Sequence, residues 1–560
     1  MTEFEGKSLS RKDVDPARRA TMVVIALFLL MTLAMVVCFR FPPLLDFANH
    51  YARAWLIAGG IHEPPFNDIY TLDWSRTSTN IGMDVAALVL GPVIGVDLLM
   101  RGLLWLAIIL PPLGAMALHR QIYGSSSPWM LASLYFAWCA TMIGGFLNFQ
   151  IGLGFALLFA ALDHRLSGQN PVVVFMVRAA VSLFLIYEHI FALGFYMVLL
   201  GGLAIGPDLS AIRSGPAFGR LLGRILLIAL ACGLPLALVV ATAHSLPGAH
   251  AGAGFGSIRP NLDVLDMIGA LTSAFWTYWL TLDFGLVLVL PALITVALLA
   301  RQMRLHAGLA VAWFLLLVLS LFSPVHALGT GWISWRFPIM AALVWVVMLR
   351  PFSQTGRAKA CALVLIMAVL TLGRTAWVGD NWWRAEADSR QLQAVIADIP
   401  AGASVLPVIH LAAAGAQKDE VRHRYAAWYK DTFRHLPTLA VPLAHAAVPS
   451  LFTAAGKQPL AVKQEWLDRT VPETNLLSIH ALQCQRLRQW ELTPYLDRWR
   501  EKYDYVLVVN ADLPDQYVGD GVPPGLIPVV DTGFARLYRI DKAFGESDGP
   551  FACALNVPQT

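Results

Sequence analysis

Apolar runs as long as a bilayer is thick recur along this chain, and they limit its fold more than any other feature. They lie at about 21–39, 98–118, 129–146, 148–163, 172–187, 189–206, 220–243, 284–300, 307–323, 333–349 and 359–376. A helix needs about 20 mostly apolar residues to cross the hydrocarbon, with a range of about 17–25. The pattern therefore predicts about eleven transmembrane helices. A further stretch, 82–96, is apolar but short and broken by Gly91-Pro92 and Gly95. It reads as interfacial or re-entrant. Only 14% of residues are charged, against about a quarter in soluble domains. The net charge of +4 is small, and no basic tract offers a surface to nucleic acid.

Charge sets the predicted orientation. With a cytoplasmic N-terminus, the inner loops carry Arg120, Arg165, Arg213, Arg220, Arg224, Arg301, Arg304, Arg350, Arg357 and Lys359. The opposite loops before residue 377 carry only Arg40, Arg53, Arg76 and Arg259, with Arg101 and Arg336 at the outer rim. This is a positive-inside pattern, and counting 82–96 as a full span would invert every later loop. The basic stretch from Lys7 to Arg19 precedes apolar Thr21 to Phe39 with no small-residue cleavage site. An uncleaved anchor is expected.

Three regions follow: a cytoplasmic tail 1–20, a transmembrane domain 21–376, and a soluble domain 377–560 on the outer face. Loops 40–97, 244–283 and 324–335 face the same outer side. In the last region Tyr503–Val509 and Phe534–Ile540 read as strands, and 386–398 and 418–434 have helical spacing. The expectation is a mixed α/β domain. Cys38, Cys139, Cys232 and Cys361 fall in apolar runs and read as packing residues. Cys484 and Cys553 fall in the polar third and can pair only outside the cytoplasm.

Chemistry is expected at the outer rim. Asp46, Asn49, His50 and Arg53 follow the first span at i, i+3, i+4 and i+7, so on a helix they share a face. Ionisable groups at a membrane surface are functional candidates; a solvated loop is the alternative, and Arg53 reads as a headgroup anchor. Asp46 is the first candidate for a general base, with His62-Glu63 and Asp68 next. Tyr187-Glu188-His189 and Gly144-Gly145-Phe146-Leu147-Asn148 form tight outer turns. Asn148 can bond a sugar or cap a helix. Arg259 follows a Gly-rich loop, 252–257, and Phe275–Trp279 reads as an interfacial anchor. Arg336 sits outside against the charge trend, placed to meet a lipid phosphate. Arg178 lies within a span and needs an unnamed partner. The basic 422–457 region, with Arg434-His435, His445 and Lys457, is a solvated surface or a contact for an anionic lipid-linked ligand.

An uncleaved first span, an Asp in the first outer loop, an interfacial helix in that loop, about eleven spans and a C-terminal outer domain together resemble the GT-C-fold membrane glycosyltransferases. The local motif is Pro43-x-x-Asp46-x-x-Asn49-His50. Phe47 stands where a protein-mannosyltransferase-like subgroup has Glu, and Asn381-Trp382-Trp383-Arg384 is not the oligosaccharyltransferase WWD motif. The resemblance implies a bacterial inner-membrane enzyme with a periplasmic active site. It implies a polyprenyl-phosphate-linked sugar as donor, and a glycan, lipid or protein hydroxyl as acceptor. Asp46 would be catalytic. His50, Asn49, His62, Glu63, Asn148, Glu188 and His189 would support it or bind acceptor, and Arg336 and Arg259 would bind the donor phosphate. No cofactor is required by the pattern; a divalent cation, Mg or Mn, is compatible with it, but no spacing demands one. A lipid-linked sugar flippase or a non-catalytic subunit of an envelope polysaccharide system stays open as an alternative.

Overall fold

The structure, a computed structural model, describes residues 16–124, 127–209, 214–244, 258–299, 303–327, 330–351, 357–411, 419–426, 430–472, 475–482, 494–515 and 522–544. Cys484, Cys553, His250 and the Gly-rich 252–257 lie outside the described residues.

Among the described residues six helices are long and apolar enough to cross a membrane: Pro16–Cys38, Val96–Tyr123, Leu147–Leu166, Pro171–Glu188, Gly215–Thr242 and Ala358–Ala397. Ile190–Ile205, Leu280–Leu299, Ala307–Phe322 and Phe337–Met348 are further apolar helices. These helices sort their residues by face. On the first, Phe28 and Thr32 are buried while Met22, Leu30 and Val37 are exposed. The exposed apolar face suits lipid. Contacts between helices rely on small residues. A Cβ on Gly114 would lie 2.8 Å from the Gly154 carbonyl oxygen, and one on Gly154 would lie 2.7 Å from the Leu110 carbonyl carbon.

The structure corrects several expectations. The run 129–146 is not one helix. It breaks into the short turns Pro128–Leu131, Ala132–Tyr135 and Ala140–Ile143. Every residue from Trp129 to Ile143 is buried, and irregular backbone is tolerated at membrane depth only inside protein. The segment runs from the Trp129 indole, which donates to the Val346 carbonyl, to Gly144, whose carbonyl accepts from the Asp46 N–H. Helix Gly82–Ile94 is short, contains Pro92, and turns at Gly95 into Val96–Tyr123. Thirteen residues rise only about 20 Å. The aromatic run is not an interfacial anchor: Trp276 and Tyr278 are buried. The Tyr278 hydroxyl donates to the Pro43 carbonyl (2.9 Å) and accepts from the Trp382 indole (3.0 Å). Arg178 finds its partner in Asp163, at 2.6 Å.

The expected boundary at 377 falls inside one continuous helix, Arg357–Ala397. Beyond it lies a four-stranded sheet in the order Val405–Ile409, Tyr505–Val509, Ala535–Ile540, Leu526–Asp531. The first pair is parallel and the others antiparallel. The described residues of segment 418–434 are not α-helical. It forms a 3-10 turn, Asp419–Arg424, and a two-residue ladder. There Arg424 bridges Asp388 and Asp512, both at 2.7 Å, fixing the segment to the long helix.

Arg53 does not anchor headgroups. It is 1% exposed and ion-paired with Asp84, 2% exposed, at 2.7 Å. The pair ties Phe47–Ile57, the helix that follows Asp46, to Gly82–Ile94. Removing one member of such a pair strands a buried charge, at a cost of about 3–5 kcal/mol. Arg53→Met should lower the unfolding midpoint in detergent sharply, and Arg53→Met with Asp84→Leu should recover most of it. A single variant as stable as the parent would contradict this role.

Candidate active site

The site is built from distant parts of the chain. Asp46 stands at the N-terminus of helix Phe47–Ile57, and its side chain makes no cap hydrogen bond to that helix. Its position is set by backbone. Leu45 N–H donates to the Ile143 carbonyl (3.0 Å) and Asp46 N–H to the Gly144 carbonyl (3.2 Å). Gly145 makes this approach feasible. Its φ is +77°, and an added Cβ would lie 2.9 Å from the Asp46 nitrogen and 3.1 Å from that of Phe47. Both the left-handed backbone and the closeness exclude a side chain.

Asp46 opens onto a cavity of about 480 Å³. Of the residues expected from sequence, Asp46, His50, Asn148, His189, Arg259 and Arg336 line it. Arg434, His435, Lys457, His326, Asn80, Phe146, Phe149 and Trp332 complete much of the wall. Among the described lining residues Asp46 is the sole carboxylate, facing Arg259, Arg336, Arg434 and Lys457. Asp266 and Asp431 lie just outside the wall, 4.0 Å from Arg259 and 3.9 Å from Arg434; a wall richer in cations than in carboxylates suits an anion.

Arg336 ends the 3-10 turn Ser334–Arg336. Its guanidinium lies 4.6, 5.3 and 5.2 Å from the ring centres of Phe146, Phe149 and Phe191, a cation–π cage. One nitrogen is 3.2 Å from His189 Nε2. His189 in turn caps Ile190–Ile205, accepting from the Phe191 N–H at 3.2 Å. Burial first, then the charges of Arg336 and Lys457, push the His189 imidazole well below its usual range. His50 is likewise pushed down, by burial, Arg53 and His435. It packs on Phe452 (5.4 Å), and its buried Nδ1 has no hydrogen-bond partner.

Other expected residues take different roles. Asn148 caps a helix while lining the cavity: it accepts from Met83 N–H (3.0 Å) and donates to Asn80. Asn49 is fully buried and bonds the backbone of Ser450 and Phe452. Glu188 is buried against Gly82 and is not in the cavity wall. His62 and Glu63 lie outside the cavity; Glu63, half exposed, pairs with His445 at 3.2 Å. Arg259 is exposed and 4.0 Å from Asp266. Among the described residues no cluster of three His, Cys, Asp or Glu side chains could hold a metal ion. His435 was visible in sequence only as part of a basic region. It lies 3.7 Å from Asp46, and burial pushes its ring down to about 3.

These features belong to a polytopic helical membrane protein of the GT-C fold. Two solved structures are similar to it, both of ArnT from Cupriavidus metallidurans. The form bound to undecaprenyl phosphate superposes with a TM-score of 0.50 at 11% identity, covering 92% of this chain and 97% of that one. The apo form gives 0.47 at 12% identity, covering 94% and 99%. At this identity the likeness is one of fold. No family model matches the chain, and no curated protein sequence does.

Two outcomes follow. Gly145→Ala should strain this turn and lower the unfolding midpoint in detergent; an unchanged midpoint would separate Gly145 from the placement of Asp46. His435, held neutral by burial, has a depressed folded pKa and an unfolded pKa of about 6.5. It costs nothing above that value. Below it the unfolded chain binds the proton first, so stability falls by about 1.4 kcal/mol per pH unit as pH drops from about 6.5 toward 3. His435→Gln should flatten that slope in detergent unfolding experiments.

Proposed function

We propose that this chain is an inverting glycosyltransferase. It moves a sugar from a polyprenyl-phosphate donor to a hydroxyl of a glycan, lipid or protein at the periplasmic face of a bacterial inner membrane. The observation that carries the reading is the cavity itself: a single carboxylate faces fixed cations in a fold shared with a protein crystallised with undecaprenyl phosphate. The N-terminus would be cytoplasmic and the sheet-bearing region periplasmic, as the loop charges require.

In this scheme the Asp46 carboxylate takes the proton of the acceptor hydroxyl as its oxygen attacks the anomeric carbon. The bond between that carbon and the phosphate oxygen breaks with inversion. The polyprenyl phosphate leaves as an anion and needs no proton. Its charge is met by preorganised cations, with the caged Arg336 first and Lys457, Arg434 and Arg259 around it. A carboxylate that only oriented the acceptor would not need to be ionised, whereas a general base must be.

The test uses purified full-length protein and synthetic farnesyl-phosphate donors carrying glucose, mannose, galactose or a pentose, with membrane lipid extract or water as acceptor. Inverted product should form. Asp46→Asn should lose about 10²–10⁴-fold in kcat. Arg336→Lys should lose activity too, because a point charge cannot replace a stacked planar fork. Full activity of Asp46→Asn would overturn the base assignment. Movement of the lipid between leaflets with no transfer would overturn the enzyme reading.

A further inference from the structure

His435 stands at the N-terminus of the 3-10 turn Leu436–Leu439, nearly four hundred residues from Asp46, yet it meets the same cavity. Its hydrogen-bond partners fix which nitrogen carries the proton. Asn49 is the key. Its Oδ1 accepts from the Phe452 N–H at 2.9 Å and its Nδ2 donates to the Ser450 carbonyl at 2.8 Å. Swapping oxygen and nitrogen would set donor against donor and acceptor against acceptor, so the amide has one orientation. The atom facing His435 Nδ1, at 3.4 Å, is therefore the N–H donor Nδ2. Nδ1 must accept, and a neutral ring then carries its hydrogen on Nε2. Nε2 is the atom that faces Asp46 Oδ1, at 3.7 Å.

We propose that His435 is a positioning residue for Asp46: Asn49 holds it in the Nε2–H tautomer, and the neutral ring donates to the Asp46 carboxylate when an acceptor binds. The proposal rests on the transferase reading above. The 3.7 Å separation is longer than a hydrogen bond, and catalytic hydrogen bonds commonly tighten only in the substrate complex. The ring is 4% exposed at its side chain, packed edge-on to Phe452 at 5.1 Å, and its turn is pinned by the Thr438 hydroxyl on the His435 carbonyl at 2.7 Å. Burial keeps it neutral. A neutral donor orients a carboxylate and modestly favours its ionised form, without the larger loss of basicity that a cation at that distance would impose. The other charged or titratable groups that face this pair across the cavity are His50, His189, Arg259, His326, Arg336, Arg434 and Lys457. They stay in place in the variants below.

Full-length His435→Ala, His435→Gln and His435→Asn proteins are compared with the parent on the farnesyl-phosphate donors. Gln places an amide nitrogen near the Nε2 position, and Asn places one near Nδ1. His435→Ala should lose about 10-fold or more in kcat with little change in donor KM. Losing a donor raises the pKa of the base, so the acid limb of the pH profile should move to higher pH by about half to one unit. His435→Gln should restore most of the rate and the pH limb, and His435→Asn should not. In ¹⁵N-histidine-labelled protein, the signal missing from His435→Gln should show the Nε2–H tautomer, and Asn49→Ala should abolish that preference. A Gln variant no better than Ala with an unmoved pH limb, or an Nδ1–H tautomer in the parent, overturns the proposal. A parent that transfers sugar from none of these donors overturns the transferase reading instead, and the tautomer spectrum still decides the pairing.

Discussion

Everything at the site depends on how the first loop is stitched to the chain's last third. Tyr70–Leu72 pairs antiparallel with Leu460–Val462. Ser78 N–H donates to the Gly456 carbonyl, and Gly456 N–H to that of Arg76. Asn49 imitates a strand, bonding one carbonyl and one N–H of 450–452 with its side-chain amide. Main-chain groups buried away from water must find partners, so this composite surface is a hydrogen-bonded unit, not a chance contact. It puts the roof of the cavity, residues 434–458, over Asp46 on its floor.

The electrostatics of that enclosure are simple. Its histidines at 50, 189 and 435 are pushed toward the neutral form, chiefly by burial, and arginine and lysine supply fixed positive charge in the wall. Close ion pairs away from the cavity join Arg53 to Asp84, Arg374 to Asp283, and Arg424 to Asp388 and Asp512, while Arg259 and Arg434 of the cavity wall have only looser carboxylate neighbours, Asp266 at 4.0 Å and Asp431 at 3.9 Å. The close pairs hold elements together. The guanidinium of Arg336 is held in part by the faces of Phe146, Phe149 and Phe191, which position a cation.

The membrane class was legible because a bilayer demands long apolar runs, and most runs in the sequence coincide with helices. The strands at Tyr505–Val509 and Ala535–Ile540 were legible from β-branched and alternating residues. What hydropathy could not show is continuity. Trp129–Ile143 is as apolar as a span, yet folds into turns because protein, not lipid, surrounds it. Nor could spacing separate Asp46 from Arg53, since both lie on one short helical stretch. The environment separates them: one borders a cavity, the other is sealed against Asp84. Asn148 shows the same limit, because capping and cavity lining are not exclusive. His435 could not be singled out, as its meaning lies in Asn49 and Asp46, far away in sequence.

The unbroken helix Arg357–Ala397 carries the apolar run 359–376 directly into the sheet-bearing region. At 1.5 Å per residue it is a rod about 60 Å long. A rod of that length, pivoting by about 5° at its apolar end, would sweep its far end through about 5 Å. That exceeds the gap between Asp46 and His435. The bundle's tilt in its bilayer and the closeness of roof to floor are therefore mechanically linked. Hydrophobic mismatch, which proteins commonly absorb by tilting, becomes a load that the hydrogen-bonded seam between the first loop and residues 450–463 must resist.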